Sequence, residues 1–510
     1  MIRRISNKDW STVLSLTGSI IYYFGFTMLI PFLTGLILRE INASFDFLIG
    51  FLACFLVGLL LKNIFKEPKE AEWIHGMSAT ALSWIIAMFL AAIPYYLSGY
   101  FLSYLDACFD TMSGFTTTGL AIIQNIDHIP ISLNLWRHML TFMGGQGIIV
   151  IALVFLPPSG LGFKALVGEG KEERLIPSVR ETGRAIWLIS LIYLFIGAIF
   201  YIFAGIYDGM SPLRSLFHGV CVFMTSWSTG GFAPQSQNTI YYHSFPIEII
   251  SMLFMILGSM NFGLHYYVWF KKDKKEVLRD IESKTFIVTL SLTWILLTYG
   301  LIRDGIYTNF LPLIRRGLFI LVSGHTGTGS MTIYATQFVN QWGDIGLIAV
   351  MLAMAFGGYS ASTAGGFKAI RTGIVFKAII ADIKKYFLPR SGVTVEKFHH
   401  LQDTILNEKI VKSAALIILL YIVMHTVGAI VGVINGIPFI QALFESISAG
   451  ANVGLSCGVT AASMANSLKV TYIINMFLGR LEFIAVFVFI LFIFRSIFRN
   501  FSLSLASISC

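Results

Sequence analysis

The sequence predicts an all-α membrane protein: four repeats of spanning helix, short re-entrant helix and spanning helix in a pseudo-fourfold arrangement, preceded by an N-terminal helix pair. Three observations carry that prediction. The 510 residues are 56% hydrophobic and only 12% charged, with a mean hydropathy of +0.76. Soluble domains carry about 25% charged residues, so a water-soluble enzyme of this length is excluded. Apolar stretches of about 20 residues, enough to cross a bilayer, recur along the whole chain. They are continuous, whereas a membrane β-barrel needs alternating segments of about ten residues. Finally, many of the 46 glycines sit inside or beside the apolar stretches, where they permit close helix packing and breaks that line a cavity.

The N-terminal pair covers Ser11–Leu38 and Phe45–Leu61. Its first helix continues past Pro31, too far for a cleaved signal segment. Four units follow. The first reads Trp73–Leu97, Tyr104–Leu120 and Leu133–Leu156; the second reads Ala185–Tyr207, Pro212–Phe232 and Pro246–Phe270. The third reads Thr285–Leu301, Pro312–Ser330 and Ile345–Ile380; the fourth reads Ile410–Ile434, Pro438–Ser456 and Val470–Phe494. The expected partition is a helix pair over 1–70 and repeats over 71–160, 161–275, 276–390 and 391–510, the third with a broken last helix. Each middle segment has about 15 residues before glycine interrupts it, too few to span. These segments are expected to enter the membrane and return on the same side.

Charge placement orients the chain. The stretches Lys62–Glu72, Leu161–Arg184, Lys271–Lys284 and Lys377–Lys409 are rich in Lys and Arg. Gly119–Trp136, Gly231–Pro246 and Gly329–Asp344, which follow the re-entrant segments, contain neither, and Gly454–Lys469 has a single Lys at its end. By the positive-inside rule the basic loops are cytoplasmic and the re-entrant segments enter from outside. The net charge of +9 is then a topology signal with a share in binding anionic lipid heads, and no nucleic-acid partner is expected. The five cysteines (Cys54, Cys108, Cys221, Cys457 and Cys510) are scattered with no CxxC pattern, so neither a disulfide framework nor a zinc site is expected.

Aligned on one glycine, the four re-entrant segments read Thr117-Thr118-Gly119, Thr229-Gly230-Gly231, Gly327-Thr328-Gly329 and Asn452-Val453-Gly454. Ten residues ahead stand Phe109, Cys221, Phe319 and Phe444; nine ahead stand Asp110 and Glu445 in units one and four. One such glycine reads as a turn or packing residue. Four on the same side, each between two spanning helices, read as a ring. A cation entering a pore must exchange its hydration shell for oxygen ligands, and backbone carbonyls from several segments can provide them. Turning successive carbonyls toward one axis needs φ > 0, which glycine reaches without a Cβ clash. Short helices aimed inward also present their partially negative C-termini to the cation.

Two further features lie below that ring. Ala355–Gly366 (AFGGYSASTAGG) interrupts an apolar helix with Gly357, Gly358, Gly365 and Gly366, followed by Lys368 and Arg371. Broken helix at membrane depth is tolerated where it is buried in protein or lines a watery cavity, so a flexible intramembrane loop is expected. Arg480 lies about ten residues into the last spanning helix, where an arginine costs roughly 2.5–3.5 kcal/mol unless it meets a partner or a cavity. Glu482, two residues on, falls about 200° around the helix. Arg480 is therefore expected to face the pore and Glu482 to pair elsewhere.

The runs Ser113–Gly119 (SGFTTTG), Ser228–Phe232 (STGGF) and Ala451–Ser456 (ANVGLS) resemble the pore loops of the Trk/Ktr/HKT potassium transporters. Gly144–Gly147 (GGQG), Ser362–Lys368 (STAGGFK) and Gly479–Glu482 (GRLE) extend the resemblance over nearly the whole chain, and the extra N-terminal helix pair is similar to the TrkH branch. Ser330 departs from the aromatic or apolar residue that often follows the third glycine in the family. The resemblance implies potassium as the transported ion, with no organic cofactor in this chain. The intramembrane loop would act as a gate and Arg480 would stand in the ion path. It also implies a homodimer in the prokaryotic plasma (inner) membrane, partnered by a cytoplasmic ring of nucleotide-binding, TrkA-like subunits, with Leu161–Arg184 and Lys377–Lys409 as docking surfaces. Glycine at all four filter positions matches potassium-selective members; sodium-selecting ones commonly have serine at the first. Channel-like flow and proton- or sodium-coupled symport both stay open, as do a sodium or ammonium permease on the same scaffold and a non-conducting assembly subunit.

Other candidates carry less. Gly324–Ser330 (GHTGTGS) imitates a phosphate loop but lacks its lysine and a preceding strand. His399 and His400 sit in a basic loop without spaced partner ligands and are expected to be solvated. The methionines read as packing filler. Nothing assembles a nucleophile with a base, so no enzyme is expected.

Overall fold

The structure is a computed structural model and describes residues 5–65, 72–147, 179–387 and 395–508, without the side chains of 179–182 and 498–508. The expected basic loop at Leu161–Arg184 therefore lies largely outside the described residues, as do parts of Lys62–Glu72 and Lys377–Lys409, the end of Leu133–Leu156 and Cys510. Helices dominate. At the N-terminus a Ser6–Asp9 capping box starts Asn7–Gly25, and the helix runs on through a 3-10 turn and past Pro31 to Ile37 before Ile41–Ile64 returns.

Each unit opens with a long apolar helix: Trp73–Leu97, Val179–Tyr207, Ile281–Arg303 and Glu408–Ile434. The short helices follow as Tyr104–Phe115, Pro212–Trp227 and Phe439–Gly450. The third is assembled from Phe310–Pro312, a π-helical Leu313–Leu318 and Phe319–His325. Ser103 caps the first of these by accepting from the Asp106 amide, and Pro212 begins the second, where its missing N–H costs nothing. All four stop at Phe115, Trp227, His325 and Gly450, each four positions ahead of its aligned glycine and earlier than the sequence suggests.

The closing helices of the units depart further from expectation. Continuous helices over Pro246–Phe270 and Val470–Phe494 are not what forms. Phe245–Ser259 and Phe262–Trp269 meet at a 101° bend, and Asn466–Arg480 and Ile484–Ile497 at 110°. In the second unit Asn261 starts a new helix by accepting from the Gly263 amide. In the fourth, Glu482 and Phe483 take φ of 51° and 66°, which an α-helix cannot absorb. The third breaks between Gly343–Phe356 and Ala369–Lys385, as expected, and in the first the helix Ile131–Gln146 is capped at Gly147, the last described residue before 179. Among the described residues, six helices cross a membrane by length and composition alone, or eight counting the bent pairs.

Burial is inverted relative to a soluble domain. Phe195, Phe203, Ile295 and Leu419 face outward, 72%, 69%, 65% and 54% exposed, while Thr116, Thr117, Thr118, Thr326 and Thr328 are fully buried. Apolar surface turned outward is what a lipid solvent permits. Lys469, the lone basic residue after the fourth short helix, is buried with its Nζ 2.6 Å from Asp106 Oδ1. The pair explains why that lysine does not break the charge pattern. One departure from all-α structure appears in the last basic stretch: Lys397–His400 pairs antiparallel with Gln402–Ile405 in a small hairpin.

Candidate functional site

The four glycine loops share one backbone course. Two positions ahead of the glycine, Thr117, Thr229, Gly327 and Asn452 take φ of 54°, 50°, 75° and 54°; the glycines Gly119, Gly231, Gly329 and Gly454 take 91°, 66°, 82° and 94°. The residue between donates its amide back into the short helix in every unit: Thr118 to Ser113, Gly230 to Thr225, Thr328 to Ser323 and Val453 to Ser448, at 2.8, 2.8, 2.8 and 2.9 Å. Left-handed residues alternating with ordinary ones turn successive carbonyls to the same side of the strand, the arrangement that replaces a hydration shell.

The loops also close on one another. A Cβ added to Gly119 would stand 3.0 Å from Gly231 Cα; on Gly231 it would stand 3.4 Å from Gly329 Cα. On Gly329 it would stand 2.9 Å from Gly454 Cα, and on Gly454, 3.0 Å from Gly119 Cα. In the same order each would strike the carbonyl oxygens of Gly230, Thr328, Val453 and Thr118. Unit one thus touches two, two touches three, three touches four and four touches one. All four candidate triplets meet in that ring.

Side chains brace it. Phe109, Cys221, Phe319 and Phe444 are all fully buried behind the loops. Asp110 Oδ1 accepts from the Ile122 amide at 2.7 Å, and Glu445 Oε1 accepts from Cys457 N at 3.0 Å and Ser456 Oγ at 2.5 Å. The paired acids therefore hold the strand that leaves the loop in units one and four. Unit two uses a residue that sequence reasoning missed: Asn238 donates to the Gly231 carbonyl at 3.0 Å and accepts from the Met331 amide at 3.3 Å.

The interrupted helix lies directly against the ring. Its neck closes through Phe367 N to Ala355 O (2.9 Å) and Ala369 N to Gly358 O (2.8 Å), with Gly357 and Gly366 at φ 68° and 80°. At its tip, Thr363 Oγ1 accepts from Thr229 Oγ1 at 3.0 Å, and its carbonyl accepts from Thr117 Oγ1 at 3.3 Å. A Cβ on Gly365 would stand 3.0 Å from Asn452 Cβ, and one on Gly327 would stand 3.3 Å from Gly365 N. The tip thus meets all four loops. Lys368, at φ 73°, folds back to donate to the Ala364 carbonyl.

Arg480 clips this assembly. Its guanidinium donates to Thr363 O (2.6 Å), Gly144 O (2.6 Å) and Gly145 O (3.2 Å), and lies 3.5 Å from Thr117 Oγ1. Glu482 binds Arg371 and lies 4.0 Å from Lys368; it pairs elsewhere, as expected, but because the helix ends at Arg480 and Glu482 takes φ 51°, not because of a helical angle. The GGQG and GRLE motifs gain a packing reason too. A Cβ on Gly144, Gly258 or Gly479 would strike the carbonyl of Phe115, Trp227 or Gly450, the last residue of a short helix. Only glycine lets the closing helix cross there.

The two histidines correct the sequence reading. Neither is simply solvated: His399 lies 2.8 Å from Glu276 and 2.7 Å from Asp403, and His400 lies 2.9 Å from Asp280. Asp403 is four residues from His399, but Glu276 and Asp280 sit more than a hundred residues back along the chain, where no local spacing reveals them.

Comparison with known proteins bears on the family and the fold. A family model described as TrkH, cation transport protein, matches residues 43–496. An uncharacterized cation transporter of Methanocaldococcus jannaschii is 32% identical over 488 residues, covering 96% of each chain. The Trk system potassium uptake protein TrkH of Escherichia coli K12 is 28% identical over 479 residues, 92% of this chain and 95% of that one. The crystal structure of the potassium transporter TrkH from Vibrio parahaemolyticus shares the fold, with a TM-score of 0.80 at 23% identity over 94% of this chain and 98% of that chain. A match over most of its length, on a helical fold of the same shape, shows that this multi-pass membrane protein belongs to the TrkH family of cation transport proteins.

Proposed function

We propose that this chain takes up potassium through a selectivity filter built from its four glycine loops, with Thr117–Gly119, Thr229–Gly231, Gly327–Gly329 and Asn452–Gly454 as the ligating segments. The observation that carries the reading is the shared alternation of backbone handedness in four loops that close head to tail. Potassium is chosen because relatives over nine-tenths of the chain are named potassium uptake proteins and because glycine stands at all four positions. The loop Gly357–Gly366, with Lys368 and Arg480, is the gate: it occupies the space against the ring and places a fixed positive charge there. The repeats at 71–160, 161–275, 276–390 and 391–510 are the four quadrants of that pore.

In this reading Lys271–Lys284 and Lys377–Lys409 face the cytoplasm and the filter loops open toward the outside, which the positive-inside rule supports. As the membrane subunit of a Trk-type system the chain forms a homodimer seated on a TrkA-like nucleotide-binding ring at that basic face. Family resemblance and charge placement support this part.

Gly119→Ser tests the filter. At φ 91°, with the Gly230 carbonyl 2.6 Å from where its Cβ would be, the serine must displace the neighbouring loop. Relative potassium and sodium uptake is measured in a strain lacking other potassium importers. The ratio is expected to fall by about an order of magnitude, a change of about 1.4 kcal/mol. An unchanged ratio in a normally expressed variant contradicts the assignment.

A further inference from the structure

We propose that Asp280, Glu282 and His400 form a binding site for a divalent transition-metal ion, and that its occupancy acts on the intramembrane loop through Ser360. The three ligand atoms lie within 4.8 Å of one another. His400 Nδ1 is 2.9 Å from Asp280 Oδ2 and 3.8 Å from Glu282 Oε2. Metal–ligand bonds of about 2.0–2.2 Å put neighbouring ligand atoms about 3–3.6 Å apart, so the cluster is already near the spacing an ion would impose.

Each carboxylate is oriented by a backbone amide on its other oxygen. Asp280, the N-cap of Ile281–Arg303, accepts from Glu282 N at 2.7 Å through Oδ1; Glu282 accepts from Ser360 N at 2.6 Å through Oε1. Such outer contacts fix ligand direction in metal sites. Both carboxylates are fully buried, and the His400 side chain, 9% exposed, closes the site from the hairpin. The pair brings two buried negative charges to the site, with His400 beside them and Lys368 within electrostatic range of Glu282; a divalent ion adds to that compensation. One imidazole with two carboxylates suits a first-row transition ion, whereas magnesium and calcium prefer all-oxygen shells. His399, held by Glu276 and Asp403, pins the hairpin beside the helix and keeps His400 in register.

The link to the loop is direct. Ser360 lies in the interrupted segment, and Tyr359 beside it donates to Ser283 Oγ at 3.4 Å. An ion that fixes Glu282 therefore fixes the outer arm of the loop. This coupling rests on the gate reading above; the metal site itself does not.

The full-length chain, purified in detergent and stripped with chelator, is titrated with Zn2+ by calorimetry. One ion per chain is expected. His400→Ala, a change in the hairpin, and Glu282→Gln should each weaken binding about 100-fold, while His128→Ala, an exposed histidine far from the cluster, stays within about twofold. No binding, binding that His400→Ala leaves unchanged, or a preference for Mg2+ over Zn2+ overturns the site. In proteoliposomes, Zn2+ should change rubidium flux through the unaltered protein and leave His400→Ala indifferent; binding with no flux response overturns the coupling. Absent flux beside intact zinc binding counts against the transport reading and leaves the site standing.

Discussion

At Arg480 the guanidinium is held by carbonyl oxygens from the intramembrane loop and from the end of Ile131–Gln146, a helix C-terminus with partial negative charge. Carbonyl oxygens spread its charge, and Glu482 lies within electrostatic range of it. On the gate reading, a unit charge at a separation of about 6 Å would act on a passing cation with about 3 kcal/mol at an effective dielectric of about 20. Arg480→Ala removes that repulsion and one anchor of Thr363, and basal flux per molecule is expected to rise at least severalfold. Flux normalised to monodisperse protein decides; equal or lower flux removes Arg480 from the gate. Because the loop would still occupy its place, shortening Gly357–Gly366 in the same protein need not add to the effect. The cost of burying an arginine singled out Arg480 in the sequence; the helical angle used for Glu482 does not exist, because the chain leaves the helix at Arg480 and Glu482 is turned away by its left-handed φ. The sequence could not reveal Asn238, whose partners Gly231 and Met331 belong to two different units.

Among the elements, the short helices and long opening helices were legible because hydropathy, Pro212 and the glycines mark them locally. The bends at Ser259–Asn261 and Arg480–Phe483 were not. Each places polar residues (Ser259 and Asn261, Arg480 and Glu482) inside a long apolar stretch, and what breaks the helix is tertiary: each closing helix must cross the carbonyl end of a short helix at Gly144, Gly258 or Gly479. That crossing gives a stability test. Gly479→Ala drives a methyl into the Gly450 carbonyl and is expected to cost about 1–3 kcal/mol by overpacking. Gly317→Ala, whose methyl would meet only side-chain atoms of Leu301 and Trp294 at 3.3 and 3.4 Å, should stay near the parent. Thermal unfolding in detergent measures both, and equal shifts contradict the crossing as the reason for the glycine.

For the whole molecule, the fourfold plan was readable because the same glycine-centred segment recurs four times between apolar helices. The closure of the ring was not, since it consists of contacts between units hundreds of residues apart, such as Gly454 with Thr118. The hairpin was hidden for a similar reason: His399 reaches Glu276 and His400 reaches Asp280, far back along the chain. All these parts converge on one claim, that the ring conducts potassium. Purified chain in proteoliposomes, loaded with potassium, sodium or ammonium and assayed for rubidium entry, tests it most directly. The account predicts rubidium entry driven by internal potassium and much weaker exchange against sodium or ammonium. Equal entry against all three ions, or none above protein-free vesicles, would contradict it.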